Sequence, residues 1–135
     1  DLFEKRCWLI QAESPRKILQ DSLQKMGAQI ILTPVYRNVP VAGDYTFLLD
    51  ELEQQKLDWI LFASPSAVQN FHQILPSGFW ESLAAEPKIA CLGKITAKAV
   101  RDFGWSVQAA PNIQDFEHLV QSICEINSQI SVKYE

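Results

Sequence analysis

The sequence has few of the features that would assign a function at once. It has five glycines in 135 residues. The loop after its first apolar segment, Glu13-Ser14-Pro15-Arg16, contains none of them, which argues against a nucleotide or flavin site. There is no Gly-x-Ser-x-Gly motif, and His72 and His118 both fall within predicted helices. No serine hydrolase triad is therefore indicated.

Basic clusters and long apolar runs are also lacking. The net charge is −4 at pH 7 and the basic residues are scattered, so we do not expect nucleic acid as a partner. No apolar run approaches the roughly 20 residues of a membrane helix, so we expect no membrane partner. Without a signal peptide the expected location is the cytoplasm, and a start at Asp1 rather than methionine suggests a fragment.

Cysteine is scarce, and its spacing indicates no metal centre. Cys7, Cys91 and Cys124 lie inside predicted strands or a helix. Neither histidine stands at a zinc-like spacing from them. We therefore expect buried, reduced thiols of a cytosolic protein, with no disulfide and no metal ligand.

Five short strand signals do recur, and they alternate with amphipathic helical segments. They are Cys7–Ala12, Gln29–Val35, Asp58–Ser64, Lys88–Gly93 and Val107–Ala110. This alternation predicts an α/β fold with a doubly wound, five-stranded parallel sheet of flavodoxin-like order 2-1-3-4-5. We expect residues 1–135 to form a single domain, with a frayed tail over 127–135.

Helix signals follow each strand. We expect Ser14 to cap a helix that starts at Pro15 and is ended by Gly27. Later helices are predicted around Phe47–Leu52, from Ser66, over Phe79–Ala85, from Thr96 to Phe103, and after a cap at Asp115.

Loops after parallel strands gather at one sheet edge, and here they carry hydroxyls, cations and helix N-termini. Ser14, Ser64, Ser66, Lys94 and Thr96 all lie there. Such an edge favours an anionic ligand. The hydroxyls could equally be simple helix caps, and both interpretations stay open at this point.

Tyr36-Arg37 follows the second strand. Tyr36 is either a packing residue with a solvated hydroxyl or a weak general acid. Arg37 is either a solvated cation or a carboxylate ligand.

Three motifs, in order and spacing, resemble the C-terminal half of uroporphyrinogen-III synthase. They are Val35-Tyr36-Arg37, Phe62-Ala63-Ser64-Pro65-Ser66-Ala67-Val68 and Leu92-Gly93-Lys94-Ile95-Thr96-Ala97. The resemblance runs from about Trp8 to about Ile123. Two positions depart from it: Ala63, where the family often has threonine, and Lys94, where it commonly has proline.

The resemblance implies a lyase that closes the linear tetrapyrrole hydroxymethylbilane into uroporphyrinogen III and inverts the last ring. It implies no metal or organic cofactor. Backbone amides and hydroxyls at strand ends would hold the substrate carboxylates. Tyr36 would assist loss of the substrate hydroxyl. Ser14, Arg37, Ser64, Ser66, Lys94 and Thr96 are the expected binding residues.

The resemblance also implies two α/β domains, with the chain crossing between them after the second strand. Cys7–Val35 would then belong to one domain and Asp58 onward to the other, with Tyr36–Gly43 near the crossover. The sheet would be completed by folding back, by segment exchange in a homodimer, or by the missing N-terminal half. We expect the isolated half to be inactive. The alternatives are a non-catalytic binding domain for an anionic small molecule and a protein-interaction module.

Overall fold

The chain divides into two units, Asp1–Val39 and Pro40–Glu135, which we call the N-terminal and the C-terminal unit. A computed structural model describes residues 1–131, with side chains to residue 129. The division falls within the Tyr36–Gly43 stretch, where the resemblance places a crossover between domains.

The N-terminal unit is a strand–helix–strand. It consists of β1 (Arg6–Ala12), α1 (Ile18–Lys25) and β2 (Gln29–Tyr36). The two strands pair in parallel, with Trp8 opposite Ile31, and the register shifts between Gln11 and Ala12. Gly27, at a φ of +88°, turns the chain from α1 towards β2, because glycine adopts positive φ without a side-chain clash.

One face of this two-stranded sheet carries large exposed side chains. Trp8 is 65% exposed, Ile10 59% and Ile31 52%. The Trp8 indole Nε1 donates to Thr33 Oγ1 at 2.8 Å across the strands, which places both on that face. Among residues 1–39, all of which the structure describes, only Ala28 is buried.

The C-terminal unit contains the remaining elements. They are α2 (Thr46–Glu53), β3 (Trp59–Phe62), α3 (Pro65–Ile74), α4 (Phe79–Ser82), β4 (Lys88–Cys91), α5 (Lys94–Asp102) and α6 (Phe116–Ser131). β3 and β4 pair in parallel, with Phe62 opposite Cys91. α5 turns Ala97 and Val100 inward because they lie on one helical face.

The C-terminal unit has a continuous aromatic and aliphatic core. Its buried members are Phe62, Val68, Trp80, Ile89, Cys91, Ala97, Val100 and Trp105. The rings of Trp80 and Trp105 stack, with centroids 4.6 Å apart, and Phe71 meets Trp80 edge-on. The indole Nε1 of Trp80 is buried and has no hydrogen-bond partner among the described residues. A second cluster joins Ala90, Ala109 and Leu119.

The α/β class with parallel strands is confirmed, whereas the five-stranded order is not found. Among residues 1–131 the strands pair as β1-β2 and β3-β4, in two separate two-stranded sheets. The predicted fifth strand, Val107–Ala110, contributes only an isolated bridge between Ala109 and Ala90. The sequence signals located the first four strands, and the predicted order places β1 beside β2 and β3 beside β4, as observed. Its pairing of β1 with β3 is not found among residues 1–131.

Several local predictions need correction. α1 starts at Ile18, with Lys17 in the capping position, so Ser14 does not cap it. Cys91 is buried, but Cys7 is half-buried and Cys124 is exposed, which contradicts the expectation of three buried thiols. α6 continues to Ser131, so 127–131 are helical. The rest of the predicted tail, 132–135, lies outside the described residues.

Within residues 1–131 no helix is both long and apolar enough to cross a membrane.

Candidate functional site

The carboxyl ends of β1 and β2 bring two predicted site residues, Tyr36 and Arg37, beside Glu13. The Glu13 backbone N–H donates to the Tyr36 carbonyl oxygen at 2.9 Å. Ala12 pairs with Tyr36 after the register shift. Because both strands run the same way, the Glu13 loop and the Tyr36-Arg37 pair leave the sheet at the same edge.

At this edge the Arg37 guanidinium holds the Glu13 carboxylate through two bonds. Nε lies 2.5 Å from Glu13 Oε2, and Nη2 lies 3.1 Å from Oε1. The two side chains remain 68% and 50% exposed. Arg37 therefore binds a carboxylate, as its chemistry predicts, and the carboxylate it binds belongs to the same unit.

A cavity of about 660 Å³ opens beside this pair. Its lining consists of Glu13, Pro34, Tyr36, Arg37 and Val39. Tyr36 is 57% exposed, so its ring is not a core packing residue. This exposure argues against the packing interpretation of Tyr36, and its role as a general acid stays a prediction.

Ser14 lies in the loop that precedes α1 and is exposed. It neither caps α1 nor lines the cavity. Its role as a binding residue remains a prediction.

In the C-terminal unit the loop after β3 holds Ser64 and Ser66. Ser64 has extended backbone and caps α3, its Oγ accepting from the Ala67 N–H at 3.2 Å. Pro65 is the first helical residue, where a missing N–H is harmless. The hydroxyls of Ser64 and Ser66 lie 3.1 Å apart. The helix therefore opens at Ser64 and Pro65 rather than at the predicted Ser66.

The loop after β4 holds Lys94 and Thr96 next to the serine loop, because the Leu92 N–H donates to the Phe62 carbonyl at 3.0 Å. α5 begins at Lys94, two residues earlier than predicted, and Gly93 caps it without a side-chain hydrogen bond. Lys94 is exposed, but Thr96 is only 5% exposed. Lys94 is thus the accessible residue of the two.

Gln114, which the sequence reasoning did not single out, adjoins this loop. A Cβ built at Gly93 would lie 2.6 Å from the Gln114 side chain, so Gln114 packs directly against the start of α5. No local pattern signals this contact, because it joins two loops about twenty residues apart.

The first turn of α6 contributes a second pair that the sequence reasoning passed over. Asp115 Oδ1 accepts from the His118 N–H at 2.8 Å, which confirms the predicted cap. The His118 Nδ1 lies 2.7 Å from the same oxygen. The backbone bond from His118 lowers the pKa of Asp115 below its usual value. His118 is helical as predicted, and it lies in the first turn of α6.

A family model described as uroporphyrinogen-III synthase HemD matches residues 1–121. The chain belongs to the uroporphyrinogen-III synthase family.

Curated relatives of this family share moderate identity with the chain. A porphyrin biosynthesis protein HemD of Ruminiclostridium josui is 27% identical over 125 residues, which is 92% of this chain and 25% of the relative. A putative uroporphyrinogen-III synthase of Methanothermobacter thermautotrophicus is 32% identical over 95 residues, 67% of this chain and 38% of the relative. The chain thus spans well under half the length of these relatives.

The fold agrees with solved structures of uroporphyrinogen III synthase from Thermus thermophilus. A mutant form superposes with a TM-score of 0.65 at 19% identity, covering 95% of this chain and 53% of that one. The wild-type form gives a TM-score of 0.63 at 19% identity and covers 94% and 52%. At such identity the match establishes the α/β fold, and it spans about half of those chains.

The predicted residues therefore form two groups, one in each unit. Tyr36 and Arg37 line the cavity of the N-terminal unit. Ser64, Ser66, Lys94 and Thr96 follow the strand ends of the C-terminal unit.

Proposed function

We propose that this chain supplies part of the active site of a uroporphyrinogen-III synthase. The full enzyme would cyclise hydroxymethylbilane to uroporphyrinogen III, with inversion of the last ring, in cytoplasmic tetrapyrrole biosynthesis. The observation that carries the proposal is the family match over residues 1–121. Exposed cations and hydroxyls at the strand ends support it, because they suit a polycarboxylate substrate.

Tyr36 is the proposed catalytic residue. Its ring borders the cavity beside Arg37 and is more than half exposed, so a substrate can approach the hydroxyl. In this role Tyr36 assists departure of the substrate hydroxyl as water, and no metal or organic cofactor is required.

The proposed binding residues act on the acetate and propionate groups. Arg37 and Lys94 contribute charge, and Ser14, Ser64 and Ser66 contribute hydroxyls. Thr96 is only 5% exposed, so it acts in this proposal through its backbone N–H at the start of α5. The N-terminus of α5 adds backbone N–H groups and the positive end of the helix dipole. Substrate held at several points is folded so that its two ends approach each other.

A binding titration tests this proposal. Uroporphyrin I, an unreactive cyclic polycarboxylate, should bind the chain, with a dissociation constant that rises with salt because the attraction is partly electrostatic. Ser66→Ala combined with Lys94→Gln should weaken binding. A dissociation constant that changes neither with salt nor with these substitutions would contradict the proposal.

The chain should not catalyse the reaction alone. It matches about half the length of the synthases of known structure, and among residues 1–131 each sheet has two strands. A two-stranded sheet is marginal in isolation. We propose that the five-stranded order 2-1-3-4-5 forms when the missing N-terminal half, or residues Cys7–Val35 of a second copy, supplies the remaining strands.

Two measurements test this completion. Sedimentation of the chain at high concentration should reveal dimer if segment exchange occurs, and monomer if the missing half is required. An assay with hydroxymethylbilane should yield the non-inverted isomer that forms without enzyme. Uroporphyrinogen III made at tens of turnovers per second by the monomer, a rate typical of enzymes, would overturn the proposal.

A second candidate is a non-catalytic member of the family. The exposed apolar side chains of the N-terminal unit, including Trp8 and Ile31, favour a surface that contacts another polypeptide. Tight uroporphyrin I binding without turnover, even after the missing half is supplied, would indicate that the chain is a non-catalytic binding domain. Failure to bind any polycarboxylate would select an interaction module.

A further inference from the structure

The Arg37 guanidinium already holds a carboxylate through two bonds. Nε and Nη2 form one edge of the planar group, and both donate to Glu13, at 2.5 and 3.1 Å. This parallel two-bond arrangement is the one that arginine uses to recognise carboxylates of ligands. Glu13 therefore occupies one of the two edges at which Arg37 could bind a ligand carboxylate through two bonds.

The backbone keeps Glu13 in that position. The Glu13 N–H donates to the Tyr36 carbonyl at 2.9 Å, so the residue is tied to the one that precedes Arg37. The side chains are free to separate, however, because the Arg37 side chain is 68% exposed and that of Glu13 50%. An ion pair with this exposure contributes little stability and is easily exchanged for another partner.

The pair also borders the cavity of about 660 Å³ that Tyr36 lines. A ligand in the cavity meets a guanidinium whose charge is neutralised by Glu13. A ligand with a single carboxylate gains little from displacing Glu13, since it replaces one such bond by another. A ligand held at several other points loses less entropy on making this contact, because its remaining carboxylates already fix it.

We propose that Glu13 is a specificity-determining residue, which occupies the Nε–Nη2 edge of Arg37 in the free chain and yields it to a ligand carboxylate. This inference rests on the proposed function, since it assigns the occupant as a carboxylate of the polycarboxylate substrate. Glu13 acts through Arg37 and touches no reacting atom. It selects polycarboxylate ligands over small monocarboxylic acids.

A double-mutant cycle on the 135-residue chain tests this, with uroporphyrin I as the probe. Glu13→Gln should tighten binding about two- to fivefold, the range expected when an exposed ion pair no longer competes. Arg37→Gln should weaken binding. Glu13→Gln in the Arg37→Gln background should then have no effect. Asp21→Asn, an equal charge change on α1, is the matched control and should alter affinity less than Glu13→Gln.

Selectivity and a direct readout complete the test. Acetate should compete for the site more effectively in Glu13→Gln than in the unaltered chain. The chemical shift of the Arg37 Nε in nitrogen-15 NMR should differ between the free chain and Glu13→Gln, and in the unaltered chain it should move when uroporphyrin I is added. An Nε signal that is the same in both free chains would contradict the inference.

The outcomes separate the inference from the function on which it rests. If uroporphyrin I binds the unaltered chain and the Glu13→Gln variant with the same affinity, the inference is overturned but the proposed function stands. A Glu13→Gln effect that persists without Arg37 also overturns it, since Glu13 would then act only by long-range repulsion. If no variant binds uroporphyrin I, the proposed function fails and the inference fails with it.

Discussion

The two units of this chain differ most in how they bury apolar side chains. In the C-terminal unit three helices, α3 to α5, and two strands contribute to a buried cluster that includes Phe62, Trp80 and Trp105. In the N-terminal unit one helix accompanies two strands, and Trp8, Ile10 and Ile31 stay more than half exposed. Since burial of apolar surface is the main driving force of folding, the C-terminal unit should hold most of the stability.

The largest effect should come from matched tryptophan substitutions in the two units. Trp80→Ala removes a 4% exposed indole and should lower the free energy of unfolding by about 3–5 kcal/mol. Trp8→Ala removes a 65% exposed one and should cost less than about 1 kcal/mol. Urea denaturation followed by circular dichroism measures both. Equal costs would show that the N-terminal unit is as well packed as the C-terminal one.

Thiol reactivity should next distinguish the core of the C-terminal unit from the N-terminal unit. Burial raises the pKa of the Cys91 thiol to about 11, although the charge of Arg101 opposes the shift. At pH 8 the thiolate of Cys91 is then about 100-fold rarer than at the ordinary pKa, and access is also blocked. Cys91 should react with iodoacetamide at least about 100-fold more slowly than the half-buried Cys7. Peptide mapping by mass spectrometry reads this, and comparable rates would contradict it.

The raised pKa of Cys91 also predicts a pH dependence of stability. The folded state holds this proton more tightly than the unfolded chain does, so the contribution is complete below about pH 9. It should be lost as the pH rises from 9 towards 11. Urea denaturation across this range should show a smaller decline in Cys91→Ala than in the unaltered chain. An identical decline in both would assign the loss to other groups.

Hydrogen exchange should give a third contrast. Strands β1 and β2 have few buried side chains, whereas β4 contributes Ile89 and Cys91 to the buried core. We expect β1 and β2 amides to exchange at least about tenfold faster than those of Ile89 and Cys91, because local opening is easier there. Slower exchange in β1 would point to strand pairing with a second copy.

The smallest effect should come from Ser14 and Ser64, two serines that both lie at the junction of a predicted strand and a predicted helix. Ser64→Ala removes a cap hydroxyl of α3 and should cost about 1 kcal/mol. Ser14→Ala should leave the stability unchanged, since α1 starts at Ile18 without it. Thermal unfolding of the two variants measures the difference, and a loss in Ser14→Ala would mean that this hydroxyl has another structural partner.

The sequence predicted the elements better than their assembly. The runs Cys7–Ala12, Gln29–Val35 and Trp59–Phe62 were located because continuous apolar segments are typical of strands covered on both faces. The pairings of β1 with β2 and of β3 with β4 agree with the predicted order. The predicted neighbours β1 and β3 do not pair among residues 1–131, because a strand's neighbour also depends on elements distant in sequence. The weaker Val107–Ala110 segment forms only a bridge.

The residues of the candidate site were likewise predicted better than their contacts. Tyr36 and Arg37 lie where the second strand ends, and that position alone suggested both residues. The partner of Arg37 could not be predicted, since the Glu13 contact depends on the register of two strands. Thr96 was expected at a helix start, but α5 begins earlier and turns it inward.

The packing of Gln114 against Gly93 restricts which residues can occupy position 93. Gly93 has extended backbone, at a φ of −166°, that any residue can adopt, so a larger residue there meets only the Gln114 side chain, which would have to move aside. Alanine at 93 should be tolerated where residue 114 is small, such as serine or alanine. The two positions should therefore vary together across natural variants, with residues larger than glycine at 93 occurring together with small residues at 114.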